Sequence, residues 1–407
     1  MLTPSEALAE MLGHIEPLGE VEELPIAYAC GRVLAEAPAS DVDIPPFRKA
    51  MMDGFAVRAA DFEGAPREDG GVWFAVAGES RAGVPFDGTC QCGQVIEIYT
   101  GAEIPDNLDA VVMVEHSTRD GNRVLLKDAP PANQHVQARA EILATGSKPF
   151  EVGRRLSPTD LGVLAAIGAH PLRVFRQVRV AVLTTGDELV PPWEPLGPGQ
   201  IREGNTLTLA ARCLQLDLEV VRVGIVPDDE EVLKSEFTTA LGLADALITT
   251  GGVSMGKYDL VGKTFEALGV EPLLHKVAVK PGKPIWFGKR GKQPVLGLPG
   301  NPVSSQLGME IFVKPVLAKL AGVVGEELGA EVRRGVWLGK TKTAGWRQEN
   351  LPCRVEHGAD GRVELHPLVY RGSADLVTVA SAEAFAVLPA ESTVEPGETI
   401  DYRPLDR

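Results

Sequence analysis

The sequence predicts a multidomain α/β plus β protein, and three observations carry that expectation. The chain has 407 residues, more than one ordinary core holds. From residue 178 onward, short continuous apolar runs alternate with stretches of helical periodicity. Such alternation is the mark of a doubly wound sheet with buried parallel strands. On either side of that region, short β-rich runs are separated by Gly, Pro and Asp, as in small β domains.

In chain order, Thr3-Pro4-Ser5-Glu6 reads as a capping box with proline at the first helical position. Ala7, Leu8, Met11, Leu12 and Ile15 follow at helical spacing. A second helix is expected over 158–167, capped by Ser157 and stopped by Gly168, and it is the natural partner of the first. Between them, Val72–Val76, Val95–Tyr99, Val111–Val114 and Val124–Leu126 read as strands of a β domain inserted at 51–134. The helical, partly extended domain would then be discontinuous, 1–50 and 135–176.

The α/β region is expected to run from 177 to 325. Its strands are read at Val178–Leu183, Leu218–Val226, Ala246–Ile248, Lys276–Val279 and Val295–Leu298. Helices are read at Thr206–Leu216, Asp229–Leu241 and Leu260–Leu268, with a long one from Pro302 to Leu320. The remainder, 326–407, returns to short strands, including a hairpin around His357–Gly361, and reads as a small β-barrel.

Composition narrows the function. A net charge of −16 makes nucleic acid a poor partner, since phosphate contacts need clustered Lys and Arg. Nothing approaches the ~18 apolar residues of a membrane span, and Met1 to Glu6 lack the basic start and apolar run expected of a signal peptide. A cytoplasmic protein is the expectation. The five cysteines are widely spaced apart from Cys90 and Cys92, and neither a disulfide framework nor a zinc site is expected.

Ligands of open α/β sheets bind outside the carboxyl ends of the strands. Three such ends carry glycine-rich turns, at 185–188, 249–256 and 297–304. Gly251-Gly252-Val253-Ser254 lets backbone N–H groups approach an anion, and Pro299 to Pro302 does so at a helix start. The plain alternative for each is a tight turn. Lys276 and Lys280 have even separation and would share one strand face. They are anion ligands or merely solvated. Asp187, Glu188, Asp228 and Asp259 also follow strands. They either cap helices or hold Mg²⁺, which uses one or two carboxylates together with substrate phosphates.

Taken together, these residues resemble the MoeA family, which includes the E domains of plant molybdenum-cofactor proteins and of gephyrin. The resemblance is carried by Met52-Asp53-Gly54-Phe55-Ala56, Thr100-Gly101-Ala102, Asp109-Ala110-Val111-Val112 and Thr185-Gly186-Asp187-Glu188-Leu189. It continues through Thr250-Gly251-Gly252-Val253-Ser254-Met255-Gly256, Lys280-Pro281-Gly282-Lys283-Pro284 and Gly297 to Ser304. It implies an elongated homodimer of four-domain chains whose third domain resembles the MogA adenylyltransferase. It also implies a reaction of adenylylated molybdopterin with molybdate that gives molybdenum cofactor and AMP, with Mg²⁺. A MogA-type adenylyltransferase is an implied partner.

Carried over by motif, Asp53, Glu188 and Asp259 are the expected catalytic residues, with Glu188 and Asp259 on the metal. Thr100, Asp228, Gly251, Gly252, Ser254, Lys276, Lys280, Pro299, Pro302 and Ser373 are the expected substrate contacts. Asp53 and Thr100 would face the α/β domain of the second chain.

Two departures matter. Glu141 stands where the family has Asp. In Glu349-Asn350-Leu351-Pro352-Cys353-Arg354, Pro352 stands at the first arginine of Glu-Phe-x-Arg-x-Arg, leaving Arg354 or Arg347 to replace it. Two competing readings remain. One is a MogA-like adenylyltransferase, against which Val253-Ser254 stands in place of Thr-Gly. The other is a gephyrin-like scaffold without catalysis.

Overall fold

The computed structural model describes residues 1–252, 260–329 and 331–405. The first helix, Pro4–Gly13, begins where Thr3 and Glu6 cap each other's backbone N–H groups. Its apolar face, Ala7 and Met11, does not meet the helix Pro158–Ala166. It joins Val316, Leu317 and Leu320 in the core of the α/β region. The expected helix pair is thus corrected. The second helix has its own small core, where Leu164 and Ile167 pack with Leu34, Leu156, Leu172 and Val174. Two short capped helices leave their pairing open in sequence, and here the larger apolar surface of the α/β region takes the first.

The chain leaves and re-enters this N-terminal region along paired segments. Val21–Leu24 runs antiparallel to Leu172–Phe175, and Lys49–Ala50 to Val136–Gln137. Bracketed by them is a six-stranded sheet ordered Ala110–Met113, Gly54–Val57, Gln94–Ile98, Val72–Ser80, Arg123–Leu126, Ser117–Asp120. Alternation along its strands gives the sheet a core on each face. Phe55 and Val57 contribute to one, while Ala56, Ile96 and Ile98 contribute to the other.

The central sheet is ordered Glu219–Val226, Arg179–Thr185, Ala246–Thr250, Gln293–Leu298, Trp286–Arg290, Glu271–His275. The first four strands are parallel, as expected. The last two are antiparallel, so the sheet is mixed. The strand read at Lys276–Val279 is also corrected. Lys276 takes φ 73°, which ends the strand at His275, and the Trp286–Gln293 hairpin supplies the neighbour that sequence reading missed. Val180, Val182 and Ile248 bury on one face against helices 205–215 and 302–320. Ala181, Leu183 and Leu247 bury on the other against Phe237 and Phe265.

In the last region, Gln348–His357, Val363–Pro367, Arg333–Trp337, Thr399–Pro404 and Ala384–Leu388 pair in turn, and the fifth returns to the first, closing a barrel. Val279–Lys280 adds parallel to Gln348–Glu349, joining barrel and α/β region by backbone pairing. Among the described residues, no helix is long and apolar enough to cross a membrane.

Candidate functional site

Three adjacent parallel strands end side by side, at Thr185, Thr250 and Leu298. Their terminal residues hold one another. The Thr184 hydroxyl donates to the carbonyl of Thr250 at 3.1 Å, and the Thr250 hydroxyl donates to that of Pro299 at 3.0 Å. Asn205, opening the helix Asn205–Gln215, spans the gap. Its Nδ2 donates to the Gly300 carbonyl at 2.6 Å and to Thr250 Oγ1 at 3.3 Å. Glu203 is buried beneath that helix start and accepts from the amide of Thr206 at 2.8 Å.

Gly251 and Gly252 turn away from the second strand with φ of 86° and 65°. A Cβ on Gly251 would lie 2.5 Å from the Thr185 carbonyl oxygen, and one on Gly252 would lie 2.4 Å from Val261 Cγ2. No side chain fits either place. The loop therefore presents backbone rather than side chains, as anion-binding turns do. Beside it begins the helix Pro302–Gly308, the opening part of a helical run to Leu320 that includes a π segment at Met309–Val313.

These elements enclose a cleft of about 620 Å³. Glu188, Glu203, Asp228, Gly251, Gly252, Pro299 and Pro302 are among its lining residues. Its charge is mostly negative, with Arg202 on one wall. Asp187 accepts the Asp228 amide at 2.9 Å, holding the two strand ends together. Desolvation raises the Asp228 carboxyl above the ordinary range, and the nearby charges of Asp187 and Glu188 raise it further. Acids crowded in this way favour a cation among them.

A second cleft, of about 330 Å³, adjoins the first and shares Pro284, Pro299 and Asn301 with it. Lys280, Lys283, Arg347, Ser304 and Ser373 line it, with Glu349 at its floor. The barrel side is fixed to the α/β side by Asn301, whose Nδ2 donates to Ser373 Oγ at 2.8 Å. The amide of Val303 donates to the Ser373 carbonyl at 3.0 Å. The cations are not equivalent. Lys280 Nζ lies 2.9 Å from the buried carboxylate of Glu349, with Lys342 3.5 Å from its other oxygen. Lys283 and Arg347 have no carboxylate partner among the described residues, and both approach the ring of Trp346.

The structure thus gathers Glu188, Asp228, Gly251, Gly252, Pro299 and Pro302 at one cleft, and Lys280, Pro299 and Ser373 at the other. Lys276 lines neither, because the break after His275 separates it from Lys280; the single cationic strand face expected from their spacing does not exist. Ser254 and Asp259 lie outside the described residues. Asp53 and Thr100 sit on the inserted β domain and line neither cleft. There the Thr100 amide and hydroxyl both donate to Asp53 Oδ1 at 2.7 Å, and they lower the carboxyl, the amide most.

Sequence reading passed over Asn205 and Glu203, and included Asn301 only as part of the turn before Pro302. Their signals were ordinary helix-start residues, and only the packing of strand ends makes them part of a site. At the departures, Pro352 is buried and Arg354 is exposed on the barrel away from the cleft lining, whereas Arg347 lines it. Glu141 accepts the Ala138 amide at 2.8 Å, holding a local turn.

Three family models match the chain in order. They are the MoeA N-terminal region (domains I and II) over 2–168, a probable molybdopterin binding domain over 181–319, and the MoeA C-terminal region (domain IV) over 335–405. The chain is 33% identical to the molybdopterin molybdenumtransferase of Haemophilus influenzae, covering 100% of this chain and 99% of that one. It is 30% identical to that of Bacillus subtilis, covering 98% and 93%. A crystal structure of the molybdopterin biosynthesis MoeA protein from Pyrococcus horikoshii superposes with a TM-score of 0.81 at 30% identity, covering 99% of each chain.

Proposed function

The chain belongs to the MoeA family, and from that premise we infer that it inserts molybdenum into molybdopterin as a molybdopterin molybdenumtransferase. Relatives bearing that name match it end to end, which favours insertion over an isolated adenylyltransferase or a scaffold. The reaction joins adenylylated molybdopterin and molybdate and releases AMP.

The observation that supports a division of roles is two adjoining clefts of opposite charge. The backbone turn at Gly251 and Gly252 and the positive dipole end of the helical run that starts at Pro302 suit the phosphoanhydride. Asp228 belongs to that contact set, and Ser254, outside the described residues, is proposed with it. Lys280, Lys283, Arg347 and Ser373 suit a tetrahedral dianion beside it. In this reading Lys276 remains an outlying contact, since it lines neither cleft.

Mg²⁺ fits the donor chemistry of the first cleft. Desolvation raises the Asp228 carboxyl first and the charges of Asp187 and Glu188 add to it, and a hard cation with oxygen ligands would offset both. Glu188 and Asp228, with Asp259, would hold it. Among the described residues no group of three such side chains could hold a metal ion, so the proposal requires substrate phosphate oxygens to complete the shell. When bound, the cation stabilises charge developing on the phosphate oxygens as a Lewis acid.

Asp53 and Thr100 complete the site from a second copy, so a homodimer is part of the proposal. The substrate is itself the product of an adenylylation, and a MogA-type adenylyltransferase that hands it over is the matching partner. A cytoplasmic setting is supported by five free cysteines, two of them exposed.

The direct experiment measures AMP release from adenylylated molybdopterin with molybdate and with tungstate. Oxyanion-dependent release of AMP is expected, with cofactor formed in equal amount. No release with either oxyanion in the presence of Mg²⁺ would remove the assignment.

A further inference from the structure

Trp346 is half-exposed, at 53%, on the barrel segment that rims the second cleft. Two cations lie over its ring: Lys283 Nζ at 5.5 Å from the ring centre and the Arg347 guanidinium carbon at 5.1 Å. Both of those side chains line the cleft, and neither has a carboxylate partner among the described residues. The third lining cation, Lys280, is held by Glu349. One chain therefore treats its cleft cations in two ways. One is neutralised by a buried acid, and two lie over the Trp346 ring, which leaves their charge uncancelled.

We propose that Trp346 is a positioning residue that holds Lys283 and Arg347 together as the donor pair for the oxyanion substrate. The inference rests on the reading of the second cleft as the oxyanion site. Lysine and arginine side chains have long, rotamer-rich stems, and two like charges side by side repel. A carboxylate partner would order them but would also cancel the field a dianion needs. The negative face of an indole orders them without removing charge, because its quadrupole attracts cations within about 6 Å. Arg347 is anchored further, since Nη1 donates to the Val279 carbonyl at 3.3 Å, and its remaining donors are left for a ligand. The device also bears on the departure at Pro352. A chain without an arginine there keeps a bidentate donor at the cleft through Arg347, provided that Arg347 is held in place.

The test uses the full-length chain and measures molybdate affinity by calorimetry at fixed ionic strength. The variants are Trp346→Ala, Trp346→Phe, Lys283→Met and Arg347→Met. Each melting temperature is checked; little change is expected at the exposed Trp346, and the partly buried Lys283 and Arg347 variants are titrated at temperatures where each is fully folded. Lys283→Met and Arg347→Met should each weaken molybdate about tenfold or more, as loss of a charged donor does. Trp346→Ala should weaken it about three- to tenfold, the loss of two cation–ring contacts. Trp346→Phe should stay within about threefold of the parent, since a benzene face retains part of the attraction. Parent-like affinity in Trp346→Ala, while both charge-removal variants bind weakly, overturns the positioning role. So does a Trp346→Phe chain as weak as Trp346→Ala. Parent-like affinity in both charge-removal variants overturns the oxyanion reading of the cleft, and the positioning role with it.

Discussion

Lys280 donates from Nζ to Oε1 of Glu349 at 2.9 Å, across the seam where Val279–Lys280 of the α/β region pairs with the first barrel strand. Glu349 is 5% exposed, so its charge would be costly without this contact. Burial by itself raises the Glu349 carboxyl. The Lys280 ammonium, helped by Lys342 and the Gly345 amide, outweighs that and holds it below the ordinary range. One residue thus serves both the fold and the cleft, and separate measurements can divide the two roles.

Lys280→Met is expected to destabilise the chain by roughly 1 kcal/mol at neutral pH. Breaking a fully buried pair costs about 3–5 kcal/mol, and the half-exposed lysine and the remaining Lys342 reduce that figure. Because the folded carboxyl titrates low, the pair stabilises the protein above the ordinary carboxylate range. That contribution fades as pH falls through the depressed folded value. The difference between parent and variant should therefore be largest at neutral pH and shrink in acid. Urea unfolding across that range is the measurement; a pH-independent difference would show that the pair contributes nothing through charge.

Gly251→Ala tests the backbone loop. Its Cβ would sit 2.5 Å from the Thr185 carbonyl, at φ 86°, so the loop must move or strain. Left-handed strain alone costs about 1–3 kcal/mol. The expected result is a lowered melting temperature together with loss of AMP release. An alanine chain with parent melting temperature and parent rate would mean that the loop neither needs this conformation nor uses it.

How far the sequence foretold these features depends on the range over which each is determined. Caps at Thr3 and Ser157 depend on residues three apart; the capping box read at Thr3 is present, and the cap read at Ser157 is a capping box as well. Three of the four parallel strands were legible because they are short, mostly apolar runs buried on both faces, and the fourth, Glu219–Val226, is a part-exposed edge strand legible from its valines and isoleucine despite Arg222. The antiparallel pair was not, because Lys276 at φ 73° ends a strand that composition alone would continue. In the site, glycine turns betray themselves by composition. The pairing of Lys280 with Glu349 joins positions 69 apart, and nothing local to either residue reveals it. Asn205 likewise looks like any helix-start residue until Gly300 arrives 2.6 Å away.

Glu188→Gln and Asp228→Asn address the acid cluster. Desolvation and two neighbouring charges hold the Asp228 carboxyl high, so its contribution to stability is full in acid and is lost as pH rises through the folded value. Asp228→Asn should then melt at or above the parent at neutral pH and converge with it in acid. Both variants should release AMP slowly and require more Mg²⁺, because carboxylate ligands have been removed. Conversely, Mg²⁺ should raise the parent melting temperature more at neutral than at acid pH, as a ligand bound only by the folded, ionised site does. An equal rise at both pH values, or parent rates at limiting Mg²⁺, would show that the cluster does not hold the cation.

The last expectation concerns Asp53. Its carboxyl is pulled low by the Thr100 amide and hydroxyl, so it stays charged, yet it lines neither cleft of its own chain. A charged group held rigid on a separate domain reaches those clefts only if a second copy supplies it, and closed two-fold pairing is the usual way for a chain to do so. Asp53→Ala and Glu188→Gln should each be nearly inactive alone. Mixed in equal amounts and allowed to exchange subunits, half the dimers become hybrids. Each hybrid carries one site with both defects and one with neither, so about a quarter of parent activity should return. Sedimentation should show a dimer throughout. If activity stays at background after mass spectrometry has shown hybrid dimers, Asp53 acts within its own chain or not at all.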